Sequence, residues 1–243
     1  MDVYQRMEEL MDALEAAREA GDRAAEASAL HEIGRVYFRD RVFEAAVDFW
    51  ERCENVCRET DQDLELARVL VDLGDLALET DDPDRAEARY GEALALCRHP
   101  DRASDRARIL ERIGSLALKR DRAEAALAVF GQGFELCREN QDRIGGIFFL
   151  DQIIPLLKAR GDADATRLAY REQISLAEAL GDRERMALSL VGLAELYGED
   201  RRIDEAIPHL KMAHDLYLRL GKEKEAALIR GEIDRLDDSP SGT

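Results

Sequence analysis

This sequence predicts an all-α fold built from helix pairs that repeat every 40 residues, and three observations carry the prediction. First, residue types return in register. The Gly34 position holds Gly74, Gly114, Ile154 and Ala194, and the Leu30 position holds Leu70, Leu110, Leu150 and Leu190. Trp50 returns as Tyr90, Phe130, Tyr170 and Leu210, and Ala46 as Ala86, Ala126, Thr166 and Ala206. A fixed period of this length marks a stacked array, in which each repeat buries its apolar side on its neighbours. Second, apolar residues inside each repeat fall at helical spacing, as in Leu30, Ile33, Gly34 and Tyr37. Third, Ala, Leu, Glu and Arg dominate, all good helix formers, and proline occurs 5 times in 243 residues.

Taken in order, residues 1–20 form an opening helix, with Val3, Met7, Leu10, Met11, Leu14 and Ala17 on one stripe. Five full repeats follow at about 23–60, 63–99, 102–140, 143–180 and 183–220, each two helices around a short polar break. Asp82 before Pro83 is a good helix start, because the carboxylate accepts from orphan amides and proline has none to lose. Gly161-Asp162 supplies a helix stop followed by a cap. Residues 222–236 make a closing helix with Ala226, Ala227, Ile229 and Ile233 inward. Its Arg230 and Asp234 stand where earlier repeats have Leu30 and Gly34, as an end cap requires. Residues 237–243 read as a disordered tail, and 1–236 as a single domain.

The spacing L30-x2-I33-G34-x2-Y37 followed by A46-x3-W50 resembles the tetratricopeptide repeat over roughly residues 23 to 236. The period is 40 rather than 34, and arginine stands at 58, 98 and 138 where the consensus has proline. The extra residues lie between one repeat and the next, as in the long-repeat variety of kinesin light chains and cell-polarity adaptors. The resemblance implies a right-handed superhelical solenoid of about 12 helices, with the first helix of each repeat lining a concave groove. It also implies the groove residues: Arg35, Arg39, Arg68, Asp72, Asp75, Arg108, Arg112, Lys119, Phe148, Asp151, Gln152 and Lys158. The Lys/Asn pattern by which some members hold a C-terminal carboxylate is missing.

Composition limits the partners. The net charge of −18 repels a phosphate backbone, so nucleic acid is not an expected partner. No apolar run approaches the roughly 20 residues that span a bilayer. The N-terminus lacks a basic start and apolar centre, so a cytoplasmic protein is expected. Rich Ala and Arg usage points to a bacterial source with GC-rich DNA. Cys53, Cys57, Cys97 and Cys137 read as small, reduced core residues, since no histidine or second cysteine pair stands near enough in sequence to complete a metal site. His31, His99, His209 and His214 are scattered and read as ordinary surface or groove residues. No phosphate-binding loop or nucleophile elbow occurs, so neither cofactor nor catalysis is expected.

Two features of the groove suggest a partner. Arg68, Arg108, Arg112 and Lys119 make a basic ridge in an otherwise acidic chain, suited to carboxylates or phosphates. The simpler reading of the same ridge is pairing with Asp72, Asp75 and Glu111 across adjacent repeats. The stretch Ile144 to Leu157 is the most apolar in the chain, with Pro155 expected to kink its helix, Phe148 grooveward and Phe149 toward the preceding repeat. It reads either as a bulky core or as an apolar anchor pocket. An adaptor binding an acidic and hydrophobic segment is the first functional reading. A self-assembling subunit and a regulatory or sensor module beside a catalytic or signalling partner stand as alternatives.

Overall fold

A computed structural model describes residues 3–237, and every regular element among them is helical. The helices are α1 (Val3–Ala20), α2 (Arg23–Arg39), α3 (Phe43–Glu59), α4 (Asp63–Glu79), α5 (Pro83–Leu96) and α6 (Ala103–Lys119). They continue as α7 (Ala123–Glu139), α8 (Arg143–Arg160), α9 (Ala163–Leu180), α10 (Arg183–Glu199), α11 (Ile203–Arg219) and α12 (Glu223–Asp237). Asp237, expected to open the tail, instead ends α12; residues 238–243 of that tail lie outside the described residues, as does the side chain of Val3.

The stride of 40 is twice a stride of 20. A residue with positive φ stands at 21, 41, 61, 81, 121, 141, 161, 181, 201 and 221, but only 21, 161, 181 and 221 are glycine. The residue after it returns its N–H to a carbonyl five positions back, as Val42 does to Tyr37 at 2.9 Å and Asp82 to Ala77 at 2.8 Å. This is the six-to-one bond of a Schellman stop. In Asp22, Asp82, Asp142, Asp162 and Asp182 the same residue caps the next helix through its carboxylate. One residue therefore both closes a helix and opens its successor. Position 101 breaks the series. Proline at 100 disfavours helical backbone at His99, which is extended (ψ 139), so α5 stops at Leu96 and a single 3-10 turn, Pro100–Arg102, leads into α6. At Arg41 and Arg201 a Cβ crowds the left-handed backbone without the local hydrogen bonding that aspartate offers. Arg41→Gly and Arg201→Gly are each expected to raise the unfolding free energy by about 1 kcal/mol, read from urea melts.

The chain packs as two compact units, Met1–Val129 and Phe130–Thr243. In the first, the small residue of the first two repeats is small because a ring lies on it. A Cβ on Gly34 would stand 2.3 Å from the Trp50 ring, and one on Gly74 2.5 Å from Tyr90. Trp50 Nε1 donates to the His31 carbonyl at 3.1 Å, and the Tyr90 hydroxyl to Asp75 at 2.5 Å, so both rings satisfy their polar ends. Leu10, Leu14 and Ala17 of α1 are buried. Met11, on the flank of that stripe, is 44% exposed, against the inward position expected for it.

In the second unit the ring and the small residue change places. Ile154 fills the position that Gly34 and Gly74 hold, and Tyr170 lies instead against Gly192 of α10, where a Cβ would stand 2.4 Å away. Phe149 packs on Phe130 at 6.3 Å and against Gly133 of α7, the preceding repeat, as expected. The helix α8 runs unbroken through Pro155. A polar chain ties α8, α9 and α10 together. Ser189 donates to Gln173 at 2.7 Å, Gln173 to Asp151 at 2.8 Å, and Arg185 reaches both Asp151 oxygens at 2.7 Å. In α12, Ala226 and Ile233 are buried and Ile229 half-buried. Ala227, one residue and about 100° around the helix from Ala226, is exposed rather than inward.

Candidate functional site

Equivalent positions of α2, α4 and α6 face one another, and the residues they carry enclose a cavity of about 440 Å³ in the first unit. The α2 wall is Glu32, Arg35, Phe38 and Arg39. The α4 wall is Val71, Asp72 and Asp75, the α6 wall is Arg108 and Arg112, and Trp50 of α3 completes the lining. A more polar cavity of about 280 Å³ shares Glu32, Arg35, Asp72 and Arg108 and adds Ser28, His31, Glu65, Arg68 and Asp105. Together the two carry six cations, with His31 protonated, against five carboxylates, in a chain whose net charge is −18. The local balance is therefore reversed from that of the whole molecule.

Most of these charges are spoken for. Arg35 Nε lies 3.3 Å from Asp72 and its Nη1 3.2 Å from Glu32. Arg112 Nε lies 3.2 Å from Asp75, and Arg68 reaches Asp105 at 3.3 Å and Glu65 at 3.6 Å. Only the Arg112–Asp75 pair follows the pairing between repeats anticipated for the ridge, because Asp72 is taken by Arg35 and His31. Arg39 and Arg108 are exposed and make neither a hydrogen bond nor an ion pair among the described residues. They are the two arginines of the cavities without such a partner.

His31 is 4% exposed, a buried residue at the wall of the smaller cavity rather than a surface one. Its Nδ1 lies 2.7 Å from Glu65 and its Nε2 2.8 Å from Asp72. Those carboxylates are seven residues apart, on one face of α4, and the imidazole sits between them. Burial opposes its charge, but hydrogen bonds to Asp72 and Glu65 outweigh it and raise the pKa to about 9. The same contact with His31 holds Glu65 below its usual range. Burial pushes Asp75 up, although the Tyr90 hydroxyl and Arg112 favour its charged form. A folded-state pKa raised from 6.5 to about 9 stabilises the fold fully below pH 6.5, and that contribution is lost as pH climbs through 9. Between those limits the unfolding free energy is expected to fall by up to about 3 kcal/mol. Urea melts of His31→Gln across that range should show a flatter pH dependence.

Of the residues expected in a groove, Arg35, Arg39, Asp72, Asp75, Arg108 and Arg112 line the larger cavity and Arg68 the smaller; Lys119, exposed at the end of α6, lines neither. Phe148, Asp151, Gln152 and Lys158 belong to α8 in the second unit. Phe148 is 37% exposed with its ring edge-on to Phe149 at 5.4 Å. Asp151 is held by Gln173 and Arg185, Gln152 is half-buried, and Lys158 stands 3.9 Å from Glu195. Glu65 and Trp50 were not foreseen at the site. The stride itself held a signal for Glu65, since subtracting 40 from 65 and 72 places them at 25 and 32, on either side of 31.

Residues 25–99 match the tetratricopeptide repeat family. Tetratricopeptide repeats therefore occupy this segment of the chain. The match covers α2 to α5, which supply Trp50 and every α2 and α4 residue of the cavity. Solved structures place the rest of this repeat protein in the same fold. The apo form of RapI aligns with 84% of this chain and 74% of its own, at 12% identity and a TM-score of 0.61. A STAND signal-transduction ATPase with a tetratricopeptide repeat sensor, from Pyrococcus horikoshii, aligns with 84% at 16% identity and a TM-score of 0.60. The repeat protein spans only 31% of that ATPase. YrrB, a TPR protein with an unusual peptide-binding site, aligns with 90% of this chain and 98% of its own, at 14% identity and a TM-score of 0.55. Curated protein sequences give no match.

Proposed function

We propose that this repeat protein is a non-enzymatic scaffold, and that the cavity of its first unit holds an acidic and hydrophobic segment of a partner protein. The observation that carries the reading is the pair Arg39 and Arg108, which make no hydrogen bond or ion pair among the described residues, beside the half-buried ring of Phe38. A guanidinium offers a planar fork of donors that suits a carboxylate, and the ring suits an apolar side chain next to it. YrrB, alike in fold, has a peptide-binding site, which supports a peptide ligand in this chain too. The net charge of −18 disfavours nucleic acid, and the six cations of the two cavities give a short acidic segment a local site.

Selection from a random peptide library displayed on phage tests this without knowledge of the partner. Enriched peptides are expected to combine Asp or Glu with an aliphatic or aromatic residue. Enrichment of basic peptides alone, or none dependent on Arg108, would remove the proposal.

A further inference from the structure

The second unit carries a row of exposed apolar side chains with no counterpart in the first. At the second position of successive first helices, the first unit has Ser28, Arg68 and Arg108, and the second has Phe148, Leu188 and Leu228. Burying an aliphatic or aromatic side chain is worth about 1.5–3 kcal/mol, yet these three are 37%, 53% and 75% exposed. They recur every 40 residues, one on each of α8, α10 and α12, so they form a patterned stripe rather than isolated surface leucines.

Beside Leu228 the helices α10, α11 and α12 enclose a cavity of about 560 Å³ with an apolar lining that includes Val191, Ala194, Leu210 and Ile229. Its charged residues are Glu195, Glu199, Glu232 and a single arginine, Arg235. Arg235 pairs with Glu232, and Lys158 stands 3.9 Å from Glu195. Glu199 makes no ion pair among the described residues. The cavity is thus negative around an apolar lining, the reverse of the arginine-bearing cavity of the first unit.

We infer that the second unit has its own docking surface, the stripe Phe148–Leu188–Leu228 and the adjoining cavity, for a partner segment that combines aliphatic side chains with lysine or arginine. The aliphatic side chains cover the stripe and fill the cavity, and the basic groups meet Glu199 and its acidic neighbours. This surface is separate in residues and opposite in charge from the site proposed above, and it stands or falls independently of it.

A fluorescein-labelled amphipathic Leu/Lys peptide, followed by anisotropy against the full chain, tests the surface. The double variant Leu188→Ser, Leu228→Ser removes only exposed side chains, so its thermal midpoint should match the parent while its affinity falls at least about tenfold, or 1.4 kcal/mol. Glu199→Gln should weaken the same peptide. Arg108→Glu, in the first unit, should leave it bound. Unchanged affinity in the leucine double variant would overturn the inference by reducing the binding to general attraction for an acidic protein. Sedimentation velocity over a concentration series probes the remaining occupant: a dimer that disappears in the double variant would give the stripe to a second copy of this chain and likewise overturn the basic-partner assignment.

Discussion

Replacing Trp50 with alanine is expected to lower the unfolding free energy by about 3–5 kcal/mol, the usual cost of emptying a large buried aromatic site. The ring is 1% exposed and lies on Gly34, so its loss leaves a void between the two helices of the first repeat. It also leaves the His31 carbonyl without its indole donor. The reciprocal change reaches the same contact from the other side. A Cβ at Gly34 would stand 2.3 Å from Nε1 and 2.4 Å from Cδ1 of a ring that has no room to retreat. Gly34→Ala should therefore cost about 1–3 kcal/mol through overpacking. Gly131, where a Cβ meets nothing within 4 Å, is the control: Gly131→Ala should be neutral or stabilising by up to about 1 kcal/mol. Urea unfolding by circular dichroism measures all three.

The second large effect concerns ligand capture. An acidic peptide selected against the parent should lose at least about tenfold in affinity for Arg108→Glu, corresponding to 1.4 kcal/mol, and more for the double change with Arg112→Glu. The two positions carry different information. Arg108 makes no ion pair among the described residues, so reversing it changes the cavity's charge without breaking one. Arg112 holds Asp75 at 3.2 Å, so reversing it also sets two acids side by side and should lower stability. If binding were insensitive to Arg108→Glu and sensitive only to the variant that unsettles Asp75, the effect would belong to the fold and not to recognition.

Much of the fold was legible because its determinants are local and repeated. A residue type that returns every 40 positions has the same neighbours each time, so the contact of Trp50 with Gly34 recurs as that of Tyr90 with Gly74. The polar links were readable for the same reason, down to Asp82 and Asp162 as caps. What escaped were contacts between different positions of neighbouring repeats. His31 meets Glu65 and Asp72 across a helix interface, 34 and 41 residues away, and nothing within one repeat announces that pairing. The exchange of Ile154 for a small residue read as bulk in the core; its consequence, that Tyr170 moves to Gly192, required knowing where the ring would go. Early termination of α5 at Leu96, short of the repeat end expected at 99, follows from Pro100, which disfavours helical backbone at His99. For the cavity, the sequence pointed to its arginines but not to which were already engaged. Engagement depends on distances of a few tenths of an ångström between long side chains.

Trp50 is the chain's single tryptophan and it lines the proposed binding cavity, so its emission reports on that cavity with no label. Titrating the parent with a tryptophan-free acidic and hydrophobic peptide from the selection should change that emission saturably, and Arg108→Glu should abolish the change over the same concentrations. A peptide that binds by calorimetry while Trp50 emission stays flat, in the parent and the variant alike, would contradict the placement of the ligand in the first unit.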